Sequence, residues 1–167
     1  MTDKEIGNVM SSMVILVDTR EKKNQHILDF FDKNGIKWKS KKLDFADYGV
    51  EFPEEYRHLD NCVVVEKKNG IDEINGNFTT KREQFHAEFK RANAAGSRIH
   101  LVIENATWKK IVNGSYRSKI YPASVVASIL TFNAMYDASV WFVGKDESPI
   151  LIYRLLWYGV RSKLKEI

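Results

Sequence analysis

Residues 62–72 read Cys62-Val63-Val64-Val65-Glu66-Lys67-Lys68-Asn69-Gly70-Ile71-Asp72. A short apolar run of β-branched side chains that ends in a polar Asn-Gly pair reads as a buried strand, over Cys62 to Lys67, rather than as a helix. Side chains alternate along a strand, so Glu66 and Lys68 project from one face and Lys67 from the other. An acid and a base side by side at the end of a buried strand are costly to bury without a task.

The sequence around this strand alternates between the two hydrophobic periods. Met13 to Val17 is a second short apolar run, closed by Asp18, and reads as the first strand. His26 to Asn34 carries Ile27, Leu28, Phe30 and Phe31 at helical spacing and stops at Gly35. From Ile36 to Leu43 an edge strand places Lys37, Lys39 and Lys41 opposite Trp38, and Asp47 to Phe52 extends the sheet. A polar loop over Pro53 to Asn61 leads into the valine strand.

After it, Lys81 to Ala95 sets Phe85, Phe89 and Ala92 on one helical face, and Gly96 ends it. Ile99 to Ile103 is a further apolar strand, followed by a helical turn around Trp108 and a loop to Ser118. Pro122 opens a helix, Val140 to Val143 makes the last strand, and Ile150 to Leu164 the last helix. Strands alternating with amphipathic helices give an α/β fold, a central mixed sheet flanked by helices on both sides. We expect one domain over residues 13–167, preceded by a flexible polar arm, Met1 to Ser12.

The 167 residues suffice for one hydrophobic core, and 44% hydrophobic with 29% charged residues is the balance of a folded globular domain. A formal net charge of +4 is compatible with a polyanionic partner. One cysteine, Cys62, excludes an internal disulfide framework and a zinc cluster and favours the cytoplasm. No apolar stretch approaches the roughly 20 residues that span a bilayer. His26, His58, His86 and His100 lack ligand spacing and are read as surface or packing residues.

If Asp47, on a neighbouring strand, approaches Glu66, the two carboxylates can hold a divalent cation through oxygen and leave positions for water and a phosphate oxygen. Lys68 beside them would orient or help deprotonate an attacking water and offset charge gathering at phosphorus. The competing reading of the same residues is a solvated Glu-Lys ion pair. The lysines at 37, 39, 41 and 42 either track a phosphate backbone or guard a sheet edge, the second being favoured.

Three motifs occur in order: Val17-Asp18-Thr19-Arg20-Glu21, Ala46-Asp47-Tyr48, and Glu66-Lys67-Lys68 with Asp72 four residues after Lys68. Together with Ile103-Glu104 they resemble the XPF-type, ERCC4-domain, structure-specific endonucleases, a branch of the restriction-endonuclease-like nucleases with a PD-(D/E)xK site. Ala46 stands where the family has glycine, and Lys67 where it has arginine. The resemblance covers roughly Met13 to Leu164 and implies a restriction-endonuclease-like sheet with Mg²⁺ or Mn²⁺ held by Asp47, Glu66 and the nearby Asp18. It makes Lys68 the catalytic lysine and puts Arg20 on a phosphate or in a brace on the carboxylates. Asp72 either joins the acidic cluster or caps a helix. Lys67, Lys81 and Arg82 are implied in DNA contact, and Glu104 is a weaker candidate.

The activity implied is hydrolysis of phosphodiester bonds in branched or flapped DNA, in a prokaryote or a virus. The alternative is a non-catalytic DNA-binding subunit of the same fold. The chain ends about where the family's nuclease domain ends, so we expect no tandem helix-hairpin-helix module. We also expect a homodimer built from the last two helices, where Val125, Val126, Ile129, Leu130, Ile152, Leu155, Leu156 and Val160 exceed what one sheet face needs.

Overall fold

The computed structural model describes residues 1–166. Six strands form one mixed sheet: β1 (Val14–Val17), β2 (Trp38–Ser40), β3 (Tyr48–Glu51), β4 (Val63–Lys68), β5 (Arg98–Glu104) and β6 (Ser139–Val143), in the spatial order β2-β1-β3-β4-β5-β6. Parallel pairing joins β1 to β2, β4 to β5 and β5 to β6, whereas β3 runs antiparallel to both β1 and β4. This inserted antiparallel strand brings the end of β1 and the end of β4 to the start of β3. Asp18 N–H donates to the Asp47 carbonyl at 2.8 Å, and Asp47 N–H donates to the Val65 carbonyl at 3.0 Å. Residues 18, 47 and 66 therefore meet at one edge of the sheet.

Both faces are covered. On one side α1 (Asp3–Ser11), α2 (Gln25–Lys33) and α7 (Ser148–Lys165) bury Ile15, Val17, Val63, Val65 and Val102. On the other, α3 (Ile71–Phe78), α4 (Arg82–Ala94) and α6 (Pro122–Tyr136), with the short α5 (Trp108–Val112) against α6, bury Val64, Ile99, Leu101 and Ile103. The alternation of β4 is visible here: its even-numbered residues face α4, and its odd-numbered ones face the α7 side. Phe78, Phe85, Phe89 and Phe132 fill the α4 side as a ring cluster, with Phe85 and Phe132 stacked at 4.9 Å.

The N-terminal segment corrects the expectation of a flexible arm. Thr2 and Glu5 form a reciprocal capping box at the start of α1, and Ile6, Val9 and Met10 are buried beside α7. The spacing of those three residues is the i, i+3, i+4 stripe of a docking helix, hidden in a segment whose mean composition is polar. The Pro53–Asn61 loop contains a 3₁₀ helix, Glu54–Leu59, which buries Leu59. β2 is an edge strand as expected, and Lys39 and Lys41 both pair with Glu51 across the sheet.

α7 lies very close to β4. A Cβ placed on Gly159 would sit 2.8 Å from Val63 Cγ2 and 3.0 Å from Val63 Cβ, atoms of a rigid strand residue. Alanine gains about 1 kcal/mol over glycine in a helix interior, but overpacking of this kind costs roughly 1–3 kcal/mol. Gly159→Ala is thus expected to lower the melting temperature, and Val63→Ala in the same chain to restore part of the loss. Additive losses in the double variant, measured by thermal denaturation, would contradict the contact.

Candidate active site

The end of β4 carries the central pair. Glu66 and Lys68 are both buried on the α4 face, and Lys68 Nζ donates to Glu66 Oε1 at 2.5 Å while lying 5.1 Å from the centre of the Phe85 ring. Burial alone would lower the pKa of the ammonium, but the Glu66 and Asp47 carboxylates more than offset it and hold Lys68 above its ordinary value. Lys68 in this arrangement is a fixed cation. Its bond to Glu66 places that cation beside the carboxylates, where it can compensate charge.

Asp47 is half-buried at the start of β3, and its Oδ2 accepts from Lys67 N–H at 2.8 Å. Burial raises the pKa of Asp47, with the Glu21 and Glu88 carboxylates adding to the rise and Lys68 opposing it. Glu66 is displaced in the same direction, by burial first and by Asp47 next. The second oxygen of Glu66, Oε2, is buried without a hydrogen-bond partner. Two neighbouring acids, both strained by their charge and one with an unsatisfied oxygen, form a donor set that suits a hard divalent cation.

Among the described residues no three His, Cys, Asp or Glu side chains are arranged to hold a metal. Asp18, expected as the third ligand, is engaged elsewhere. It is buried, Oδ1 accepts from Arg20 N–H at 2.7 Å and Arg20 Nε at 2.8 Å, and Oδ2 accepts from Arg20 Nη2 at 2.9 Å and Leu43 N–H at 2.8 Å. Both oxygens are fully used, and the partners keep its pKa below the usual range although burial pushes it up. Arg20 also donates to the Leu43 carbonyl at 2.8 Å. The two residues brace the β1 end against the loop that leads to Asp47, which is the bracing alternative for Arg20.

Three other expectations are redirected. The Lys67 side chain has no exposure, and its ammonium donates to Asn69 Oδ1 at 2.8 Å and the Lys23 carbonyl at 3.3 Å, so it does not reach DNA. Asp72 neither caps α3, whose cap is Gly70, nor joins the carboxylates. It accepts from the N–H groups of Arg117 at 3.0 Å and Ser118 at 2.8 Å and ties that loop to α3. Arg82 turns back to the Phe78 carbonyl, whereas Lys81 lines the cavity that opens over the site. Glu104 lies outside this cavity, bonded to His26 and Ser148.

The cavity holds about 630 Å³ and is walled by α3 and α4 over Asp47, Glu66 and Lys68. Spacing arguments missed Glu88, which enters it from α4. Its Oε1 accepts from Ala46 N–H at 2.8 Å, and Ala46 has φ 62°, a left-handed backbone that glycine adopts freely and alanine does so at a cost of roughly 1–2 kcal/mol. Glu88 thus holds the turn that presents Asp47. One signal was available: Phe85, Glu88, Phe89 and Ala92 follow the i, i+3, i+4, i+7 repeat, so an acid interrupts a buried stripe. Arg91, on the same helix, also lines the cavity and donates to the Asp44 carbonyl at 3.1 Å.

The ERCC4 domain model matches residues 17–155. Comparison with curated protein sequences gives no match. Among solved structures the chain is similar to XPF from Aeropyrum pernix, with a TM-score of 0.64 at 17% identity over 86% of this chain and 59% of that one. It is likewise similar to XPF from Aeropyrum pernix in complex with DNA, with a TM-score of 0.65 at 15% identity over 89% of this chain and 66% of that one. The chain therefore spans 59% to 66% of the length of these structures. With the family model matching most of its length and the sheet and helices arranged as in XPF, the chain belongs to the ERCC4 domain family.

Proposed function

We propose that the chain is a divalent-metal-dependent DNA endonuclease that cuts branched or flapped DNA. The observation that carries this reading is the unpartnered, buried Glu66 Oε2 beside Asp47 and the fixed Lys68 cation, at the floor of a cavity that Lys81 and Arg91 border. Family membership and the DNA in one similar structure support it. No helix among the described residues is long and apolar enough to cross a membrane.

Asp47 and Glu66 would hold Mg²⁺ or Mn²⁺, whose contribution is Lewis-acid polarisation of a phosphate oxygen. Lys68 offsets negative charge as it builds up at phosphorus, and its bond to Glu66 fixes where that charge is met. Glu88, through Ala46, keeps Asp47 facing Glu66. Lys81 and Arg91 hold the strand by its backbone, a sequence-independent grip that suits recognition of DNA shape.

Asp47→Asn and Glu66→Gln are expected to lower metal-dependent cleavage of a labelled branched substrate by roughly 10²–10³-fold with little change in DNA affinity. Full cleavage by either folded variant would remove the metal site. Lys68→Ala should reduce the cleavage rate without reducing binding. Lys67→Ala should instead lower the melting temperature and leave the folded fraction active, because Lys67 faces the opposite side of the sheet. Comparable losses of rate in the two would show that the face assignment does not govern the chemistry.

We also propose a homodimer. Of the eight apolar residues on the last two helices, Val125, Ile129, Ile152, Leu156 and Val160 are buried in the core. What is left over is smaller than the sequence suggested: Leu130 and Met135 on α6, Ile150 and Tyr158 on α7, and Trp141 on the β6 edge are exposed. A self-associating pair would cover this surface and bring two basic faces to one DNA. Light scattering at micromolar concentration should give twice the 19.4 kDa chain mass, and a monomer that cuts DNA would refute the dimer.

A further inference from the structure

A second hollow, of about 350 Å³, adjoins the active-site cavity and shares Lys22, Lys23 and Asn69 with it. His26, Asn105 and Lys145 complete its wall, and Glu104 lies at its base. Lys22, Lys23 and Lys145 are exposed, and among the described residues none of their ammonium groups makes a hydrogen bond or an ion pair. The acidic Asp146 and Glu147 follow Lys145 in sequence but do not line the hollow, and Glu147 Oε2 is engaged by Gly144 N–H at 3.0 Å.

Glu104 is the only carboxylate of the hollow, and it is turned inward. It is 1% exposed, its Oε1 lies 2.6 Å from His26 Nε2, and the same oxygen accepts from the Ser148 hydroxyl. Buried Glu104 and Ser148, with the half-buried His26, pin α2 and the start of α7 to the end of β5. The lysines that border the hollow are thereby held on a rigid frame. The three ammonium groups face solvent, whereas the amide groups of the wall are engaged, Gln25 with Asp29, Asn69 with Glu73 and Asn105 with the Asn69 carbonyl, so the cations are what the hollow offers an anion.

We propose that this hollow is a second phosphate site, holding a backbone phosphate of the cut strand next to the scissile one. It rests on the nuclease reading above and adds a register to it. A strand held at two adjoining points is fixed along its length, so the phosphate over Glu66 and Lys68 stays aligned with the reacting groups. Lys145 is the residue to test, because it lines only the second hollow.

The test is binding of branched DNA in EDTA, where no cleavage occurs, with single methylphosphonate linkages placed in turn along the cut strand. In the wild-type protein one internal linkage flanking the scissile position should weaken binding by roughly three- to tenfold when neutralised. The same linkage should cause no further loss in Lys145→Ala, whose dependence of log K on log salt should be shallower by about 1. Lys33→Ala, at the far end of α2, should keep the wild-type sensitivity at that linkage. Equal sensitivity of the wild type and Lys145→Ala at every linkage overturns the site, and coupling only to a 5′-terminal phosphate overturns its internal position. Titration of inorganic phosphate, followed by the NMR signals of His26 and Asn105, separates this from the nuclease reading. Shifts lost in Lys145→Ala without any DNA binding keep the anion site and reject the DNA function, whereas no shifts together with no DNA coupling reject the anion site.

Discussion

The bond between Lys68 and Glu66, closed at 2.5 Å inside the α4 side of the sheet, constrains everything around it. Two opposite charges taken out of water recover the cost only if they meet at short range with their remaining bonds satisfied. Here they meet at the end of β4, but Glu66 keeps one oxygen unsatisfied. A protein selected for stability alone would place apolar side chains at both positions, as it does at Val64 one step along the same face. The aromatic cluster of α4 and α6 supplies the stability that the pair does not, and Phe85 of that cluster lies against the Lys68 ammonium.

Much of this was legible in the sequence because it depends on period. The three valines and the residues after them announce a strand, and a strand's alternation by itself separates Lys68 from Lys67. The order of the strands, and of the helices other than α1 and α3, follows from the same arithmetic, as do the apolar stripes on α4 and α6. What the residues alone left conditional was the meeting of Asp47 with Glu66. That contact depends on an antiparallel β3 lying between β1 and β4, and strand order is a long-range property that local spacing does not contain.

Other features were hidden for a different reason: a polar side chain's partner is chosen by geometry. Asp18 reads as a ligand in the one-dimensional motif, yet the backbone turn after β1 returns Arg20 onto it and occupies both oxygens. Asp72 looked like a helix cap or a catalytic acid, and instead it binds two N–H groups of a loop 45 and 46 residues away in sequence. The helical stripe of α1 was present but diluted by polar neighbours. Glu88 was visible only as an inconsistency in an apolar repeat.

The acids around the cavity divide by how they are spent. Asp18 accepts from the N–H groups of Arg20 and Leu43, Glu21 from Lys23, Glu73 from Asn69, Glu88 from Ala46, and Asp47 from Lys67. Each such bond fixes a loop or a strand end, since a buried N–H left without an acceptor is itself destabilising. The carboxylates so used are structural ties that also concentrate negative potential at the site. Glu66 differs from all of them: its one hydrogen bond goes to a mobile kind of side chain, held still here by burial, and its other oxygen has none. In the proposed metal site, surrounding acids tied to the backbone and one left free would give an incoming cation a rigid place to bind. It follows that the number of carboxylates near the cavity overstates the number available to the proposed metal, and that hydrogen-bond occupancy singles out Glu66, with Asp47 joining it by position although one of its oxygens is tied to the Lys67 N–H.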